Sequence, residues 1–223
     1  MKKPVLSESQ EDYLKEIFKL QEINDHVSMQ DLARELNVRP PSVTGMIKKL
    51  CAMDLVEHEP YKGVSLTVTG EKIALEVLRH HRLLELYLAR HLNYSWDEIH
   101  EEAERLEHVI SEKFEAAISE LMDDPTHDPH GDPIPSVDLE IPDTPNLTPA
   151  IALKKGDAMH ISRVMTQDKD ILNLLSRLEL IPGQPIVYSG SDAAGIRLKV
   201  ADNQYLIPHA IAKLIWCKEQ EAN

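Results

Sequence analysis

Two histidines and two glutamates in the middle of the chain have side chains that bind divalent metal ions. They are His100, Glu104, Glu107 and His108. The surrounding segment 97–111 contains no helix-breaking residue, and its apolar residues recur at helical spacing, so it predicts one helix. On that helix the four side chains would share one strip of surface. Such a strip is either a metal site or a solvated acidic face, and these residues alone do not decide between the two.

A second histidine–carboxylate pair precedes this segment. His81 and Glu85 are four residues apart in a leucine-rich stretch, 74–92, that predicts a long helix, so both would face one side. By itself such a pair is more often a surface contact than a metal site. The leucines are more numerous than one small domain needs, which indicates a dimer surface.

The acidic residues are concentrated in one part of the chain. Its 223 residues leave room for two or three small domains, and its formal net charge is −14. Residues 76–141 hold 17 of the acidic residues, five basic residues and seven of the 11 histidines. Residues 36–53 contain Arg39, Lys48 and Lys49 and no acidic residue. This pattern is compatible with DNA binding near the N-terminus and a metal ion in the acidic middle.

Cysteine content and hydropathy indicate the compartment. Two isolated cysteines, Cys51 and Cys217, suit a reducing environment, and we interpret both as small buried residues. The chain has no apolar run as long as a membrane span, and its first residues lead into polar ones, unlike a signal peptide. These features predict a cytoplasmic protein.

The first 70 residues predict a winged helix-turn-helix. Amphipathic patterns predict helices at 7–21, 29–36 and 43–53, with prolines in the turn before the third. The third helix has an apolar stripe and leaves small polar and basic residues outward, which is typical of a DNA-reading helix. Alternating residues over 55–68 predict the hairpin of a wing. The alternative is a generic three-helix packing unit, which the hairpin makes less favourable.

The remainder of the chain predicts a change from helix to strand. An acidic amphipathic helix at 112–122 precedes the proline-dense residues 123–149, which we interpret as a fixed turn and then a linker. Short strands are predicted at 159–164, 186–188, 196–200 and 205–207. They surround a single helix at 168–180, an arrangement that suits a small β-barrel. The predicted fold class is therefore mainly α with a small β domain.

In combination these features resemble the diphtheria-toxin-repressor family of metal-dependent transcriptional repressors. The resemblance covers essentially the whole chain and rests on the winged helix and four motifs. The motifs are HRLLE at 81–85, HEEAERLEH at 100–108, PHGDPIP at 129–135 and LIPG at 180–183. The family implies an N-terminal winged helix-turn-helix, a helical dimerisation domain and a C-terminal SH3-like β-barrel. The expected bounds are 1–73, 74–141 and 153–223, with a linker at 142–152.

The resemblance also assigns metal ligands. The first metal site of the family corresponds to Asp12, Glu104, Glu107 and His108. The second corresponds to His81, Glu85 and His100, completed by Asp168 of the barrel, with Asp170 as the alternative.

The same resemblance assigns DNA contacts to the recognition helix, the turn before it and the wing. We expect small side chains to approach base edges, and basic side chains to contact phosphates. The expected contact residues are Arg39, Pro41, Ser42, Thr44, Gly45, Lys48, Lys49 and Lys62.

The ligand types predict which metal is sensed. Iron-responsive relatives have methionine and cysteine at the positions of Asp12 and Glu104, whereas manganese-responsive relatives have carboxylates, as here. Oxygen and imidazole ligands suit Mn²⁺ or Fe²⁺. Binuclear manganese regulators have a glutamate at the position of Lys15, so their two-metal geometry is not carried over. Some relatives have a cysteine at the position of Asp128, which we interpret as a turn residue.

The sequence therefore predicts a homodimeric repressor rather than an enzyme. Mn²⁺, or alternatively Fe²⁺, would activate it to bind a palindromic operator that controls metal-homeostasis genes. One alternative is a winged-helix regulator that senses an organic ligand or a partner protein. The other is a di-metal carboxylate enzyme, for which the chain lacks the repeated Glu-x-x-His pairs that such sites use.

Overall fold

The computed structural model of the chain describes residues 6–24, 26–59, 62–143 and 146–219. The fold divides into two compact units. The first comprises Met1–His81, Glu107–Ile110 and Pro135–Glu140, and the second comprises Arg82–Leu106, Ser111–Ile134 and Ile141–Asn223. Among the described residues, no helix combines the length and the apolar character that crossing a bilayer requires.

The first unit contains the predicted winged helix-turn-helix. Its helices are α1 (Glu8–Gln21), α2 (Met29–Glu35) and α3 (Pro40–Ala52), and its wing consists of β1 (Val56–Glu59) and β2 (Gly63–Leu66). The two strands pair antiparallel. Pro60 and Tyr61, at the predicted tip of the wing, lie outside the described residues.

Local signals in the sequence set the ends of the two central helices. The Ser28 side chain accepts a hydrogen bond from the Asp31 amide (3.0 Å) and so caps α2. Asn37 adopts a left-handed conformation (φ 51°) in the turn, which asparagine tolerates better than most residues. Pro40 and Pro41 then occupy the first turn of α3, where a missing amide hydrogen costs little. These residues place α3 directly after α2.

A shared apolar core joins α1 to the reading helix. Leu14 and Ile17 of α1 belong to the same buried cluster as Val43, Ile47 and Leu50 of α3, and each is at most 1% exposed. Close-packed cores transmit displacement because they contain few voids. A displacement of α1 is therefore transmitted to α3 through this core.

Helix α4 (Val68–Leu92) contains the leucine-rich stretch 74–92 that predicts a long helix, and it begins before that stretch. The Thr67 hydroxyl accepts a hydrogen bond from the Gly70 amide (3.1 Å) and caps the first turn. A Cβ at Gly70 would lie 1.9 Å from the Leu55 carbonyl oxygen. Glycine at this position therefore permits a close approach between the backbones at residues 55 and 70.

The leucine stripe of α4 is not an exposed surface. Leu83, Leu84, Leu86 and Leu88 are at most 3% exposed within the single chain. These leucines therefore pack in the interior of the single chain. This differs from the interpretation that the stripe forms an exposed dimer surface.

The prediction of one helix over 97–111 is wrong. Helix α5 (Ile99–Leu106) ends before Glu107, and α6 (Glu112–Leu121) follows. Ser111 caps α6 by accepting a hydrogen bond from the Phe114 amide (3.2 Å), which starts a new helix there. Glu107 and His108 therefore leave the strip that His100 and Glu104 occupy on α5.

The C-terminal part of the second unit is the predicted SH3-like barrel. Its strands are β3 (Thr148–Pro149), β4 (Ala158–Val164), β5 (Pro185–Asp192), β6 (Gly195–Val200), β7 (Asn203–Ile207) and β8 (Ile215–Glu219). They form an antiparallel sheet in the order β3-β8-β4-β5-β6-β7. Helices α7 (Lys169–Arg177) and α8 (His209–Ala212) accompany the sheet. Leu172 and Leu175 of α7 share its buried core.

Part of the predicted linker belongs to this sheet. Residues 148–149 form β3 beside β8, and Ala150 is fully buried in the barrel core. Thr144 and Pro145 lie outside the described residues. β3, β8 and α8 were not predicted, because each is short and its residues show little periodicity. The domain bounds themselves stay a prediction.

Candidate metal centres and DNA-reading surface

In the first unit, α1 and the segment Glu107–Ile110 bring three predicted ligands together. Asp12, Glu107 and His108 each offer a ligand atom, and these atoms lie within 4.8 Å of one another. Glu107 is 1% exposed, so the group lies partly in the interior. Its two carboxylates and one imidazole form a donor set that suits a divalent cation.

His108 is held by carboxylates at both ring nitrogens. Its Nδ1 lies 2.7 Å from Glu11 Oε2, and its Nε2 lies 2.9 Å from Asp12 Oδ1. Burial lowers the pKa of His108, but the bonds to Asp12 and Glu11 and the charge of Glu107 outweigh it and raise the pKa to about 10. His108 is therefore protonated in these surroundings, and a metal ion that took it as a ligand would have to displace that proton. Glu11 was not among the predicted site residues.

Glu107 contacts two further basic groups in the same unit. Lys15 Nζ donates to its Oε1 at 2.6 Å, and His81 Nδ1 lies 2.5 Å from its Oε2. Both contacts are buried, where an unbalanced carboxylate would be costly. His81, which we had assigned to the second site, thus meets a ligand of the first. Lys15 supplies a positive charge where binuclear regulators have a glutamate.

A second group of ligand-type side chains lies in the second unit. Glu85, Asp128 and His130 offer atoms within 4.8 Å of one another, and all three residues are buried. His130 is fully buried, and both of its ring nitrogens lack a hydrogen-bond partner among the described residues. Its Nδ1 lies 3.6 Å from Glu85 Oε2, which is an ion-pair distance but too long for a hydrogen bond. A buried imidazole without a close hydrogen bond is costly, and a bound cation would satisfy it.

Asp128 has a structural role as well as a place in this group. Its Oδ1 accepts hydrogen bonds from the amides of His130 (2.8 Å) and Asp132 (2.9 Å), which makes it the turn residue that we predicted. Burial raises the pKa of Asp128 well above its usual range, and the carboxylates of Asp132 and Glu85 add to the effect. Asp128 and His130 were not among the ligands predicted from the sequence. The signal was a histidine between two acids in the PHGDP turn.

His100 contacts Glu85, another predicted ligand of the second site, whereas Asp168 has a different role. His100 Nδ1 lies 3.0 Å from Glu85 Oε1, and its Nε2 lies 3.8 Å from Glu104 Oε1. Glu104 was assigned to the first site, and its part in that site stays a prediction. Asp168 caps α7 by accepting from the amides of Asp170 (3.0 Å) and Ile171 (3.1 Å). Among the described residues, Asp168 joins no carboxylate–histidine group.

The recognition helix presents the predicted DNA contacts to solvent. Every one of them on α3 or in the turn before it is exposed, namely Arg39, Pro41, Ser42, Thr44, Gly45, Lys48 and Lys49. Space beyond Gly45 is open, since a Cβ there would meet no atom within 4 Å. The apolar residues Val43, Ile47 and Leu50 face inward on the same helix. α3 therefore has a flat, basic outer face that can enter a groove.

Lys62 is exposed in the wing but already has an acidic neighbour. Its Nζ lies 2.7 Å from Glu59 Oε2 on β1. The hydrogen bond that Lys62 donates to the Glu59 carboxylate raises the pKa of Lys62, so the lysine stays charged. Its contact with DNA stays a prediction.

A winged helix-turn-helix whose first helix carries a metal-ligand group defines a class of DNA-binding proteins that respond to metal ions. Comparison with known proteins identifies the family. Models of iron-dependent repressors match residues 5–64, described as the N-terminal DNA binding domain, and residues 67–136, described as the metal binding and dimerisation domain.

Individual relatives agree with these models. The chain is 27% identical to the iron-dependent repressor IdeR of Mycobacterium tuberculosis, over 94% of this chain and 96% of that protein. A manganese-dependent transcriptional repressor solved with manganese is 34% identical, with a TM-score of 0.86 over 95% of this chain and 100% of that one. ScaR with bound Zn²⁺ is also 34% identical, with a TM-score of 0.79 over 95% and 99%.

The chain therefore belongs to the diphtheria-toxin-repressor family. It is a metal-dependent, DNA-binding transcriptional repressor with an SH3-like C-terminal domain, as the sequence predicts. These matches do not favour the alternative of a regulator without metal. The relatives matched are transcriptional repressors.

Proposed function

We propose that Mn²⁺, or alternatively Fe²⁺, held by Asp12, Glu107 and His108 enables the protein to bind a palindromic operator and repress metal-homeostasis genes. The observation that carries this proposal is the convergence of these three side chains from α1 and from the segment Glu107–Ile110. Glu104 is proposed as the fourth ligand on the resemblance alone. A bound divalent cation supplies the positive charge that these carboxylates need.

The route from the metal site to DNA runs through α1. Asp12 lies on α1, which shares its apolar core with α3. Ligands from two chain segments would fix Glu107–Ile110 to this helix and so restrict the position of the reading helix. A coupling free energy of about 1–3 kcal/mol between the two sites is enough for regulation of this kind.

We further propose that Glu85 belongs to a second ion site with Asp128 and His130. The ring nitrogens of His130, which form no hydrogen bond among the described residues, support this assignment over one that relies on Asp168. His81 and His100 remain candidates for the same second site through the resemblance.

Self-association is the remaining part of the proposal. The exposed apolar side chains Leu92, Phe114 and Leu121, which are 41–57% exposed, lie on α4 and α6. A homodimer through these helices would cover them and would present two reading helices to a two-fold symmetric operator.

Operator binding should vanish after dialysis against a chelator and return on addition of Mn²⁺. Fluorescence anisotropy of a labelled operator measures this, and sedimentation velocity on the same samples measures the dimer. A regulator of an organic ligand would bind DNA equally well after chelation. Metal-independent binding, or a monomer at saturating Mn²⁺, would contradict the corresponding part of the proposal.

Lys49→Ala should weaken binding to all DNA sequences alike. A lysine that contacts a phosphate releases about one counterion, so the slope of log K against log salt should fall by about one unit. The matched control is Lys19→Ala, which removes a lysine of α1 that pairs with Glu16. An unchanged slope for Lys49→Ala would remove this residue from the interface.

A further inference from the structure

Strand β4 of the barrel contacts the backbone of the turn that carries His130. The Val164 amide donates to the His130 carbonyl oxygen at 2.8 Å. Gly131 has a φ of +85°, and a Cβ on it would lie 1.9 Å from the Ser162 carbonyl oxygen. The turn therefore lies against β4 at a distance that only glycine permits.

A side-chain pair ties the same strand to the same turn. The Arg163 guanidinium of β4 binds the Asp132 carboxylate, and both side chains are about four-fifths buried. Asp132 is joined to Asp128 in turn, since its amide donates to Asp128 Oδ1 at 2.9 Å. Arg163 is thus linked, through Asp132, to the turn that carries Asp128 and His130, two of the proposed ligands.

Helix α4 holds the opposite end of this turn. The Arg82 guanidinium donates to the Pro133 carbonyl oxygen, and Glu85 lies one helical turn further along α4. The Trp96 ring stacks on the His130 imidazole, with centroids 5.1 Å apart and planes 16° apart. Trp96 also packs against the barrel core. His130 is therefore positioned between the helix that carries Glu85 and the barrel.

We propose that Arg163 is the positioning residue of the Glu85–Asp128–His130 ion site, acting on it through Asp132. This inference rests on the proposed ion site and assigns a role in it to Arg163, which is not itself a ligand. Arg163 offers no ligand atom to a cation, so it acts through Asp132 and the turn. Partners that orient metal ligands from outside typically change metal affinity by about 10–100-fold.

Arg163→Ala should therefore lower the Mn²⁺ affinity of this site about tenfold or more. The affinity of the Asp12–Glu107–His108 site should stay unchanged, because the substitution lies in the other unit. Electron paramagnetic resonance of free Mn²⁺ during a titration resolves the two classes of site. The matched control is Arg197→Ala, which breaks an arginine–aspartate pair with Asp192 on the same barrel.

A readout without metal separates positioning from general damage. In Arg163→Ala the Val164 amide should exchange its hydrogen faster, whereas the core amides of β6 should keep their protection. Trp216→Phe leaves Trp96 as the sole tryptophan, so its emission reports on the stacked His130. The exchanged pair Arg163→Asp with Asp132→Arg should restore both the exchange rate and the affinity.

Two variants distinguish failure of the inference from failure of the proposed site. If His130→Ala leaves the number of bound Mn²⁺ ions unchanged, the ion site itself is wrong. If His130→Ala removes one ion while Arg163→Ala leaves the affinity of that ion unchanged, the positioning role is overturned. Should Arg163→Ala fail to fold, Asp132→Asn breaks the same pair from the turn and is expected to lower the affinity equally.

Discussion

Replacing His108 with alanine should raise the Mn²⁺ concentration needed for operator binding about a hundredfold or more. Residues that only orient a ligand already change metal affinity by about 10–100-fold, so loss of a ligand should reach the top of that range. The substitution also leaves Glu11, Asp12 and Glu107 without the imidazole that lies among them. Operator anisotropy as a function of Mn²⁺ concentration gives the shift.

The control for this prediction is His26→Ala, which removes an exposed histidine of the same unit and should change nothing. Glu11→Ala provides a graded comparison. Glu11 contacts His108 Nδ1 and so directs Nε2 toward Asp12. Removing Glu11 should therefore lower the Mn²⁺ affinity of the site about tenfold. Glu11→Gln keeps an acceptor and should recover part of that loss. A wild-type response in His108→Ala would show that the ion binds elsewhere.

The N-terminal fold could be predicted because its signals are local. Serine caps, prolines in the first turn of α3 and the alternation of the wing each lie within a few residues of the element that they define. The end of α5 could not be read in this way. Ser111 acts as the cap of α6, and the pattern of apolar residues continues through it without interruption. The break between α5 and α6 is evident only in the backbone of the structure. Because of it, Glu107 lies beyond the end of α5, where its carboxylate contacts the Lys15 ammonium.

The two metal groups differ in how far the sequence revealed them. Glu107 and His108 occur in a motif dense with ligand-type residues, and the resemblance supplied Asp12. Asp128 and His130 lie in a proline-bounded turn, where a polar residue is the ordinary choice and needs no metal to explain it. Their proximity to Glu85 depends on how α4 and β4 hold the turn from both ends. Such long-range packing leaves no periodic pattern in the sequence.

The double change Asp12→Met with Glu104→Cys should move activation of operator binding toward Fe²⁺ and Co²⁺. These are the two positions where iron-responsive relatives have sulfur ligands. A carboxylate is a hard donor that accepts the weakly bound Mn²⁺, whereas thioether and thiolate favour later, softer metals. The wild-type protein should therefore respond to Mn²⁺ at least as well as to Fe²⁺ under anaerobic conditions. Anisotropy titrations with each metal give the order of activation for both proteins.

Zn²⁺ separates binding from activation in this experiment. Affinity alone cannot select Mn²⁺, because Fe²⁺ and Zn²⁺ stand above it in the general order of divalent affinities. Selection must come from which ion engages all the ligands, and Zn²⁺ prefers only four. Zn²⁺ should therefore bind wild-type protein tightly yet activate operator binding poorly. If wild type responds to Fe²⁺ and ignores Mn²⁺, ligands other than Asp12 and Glu104 decide the metal, because the oxygen donors at these two positions would then have no effect on the choice.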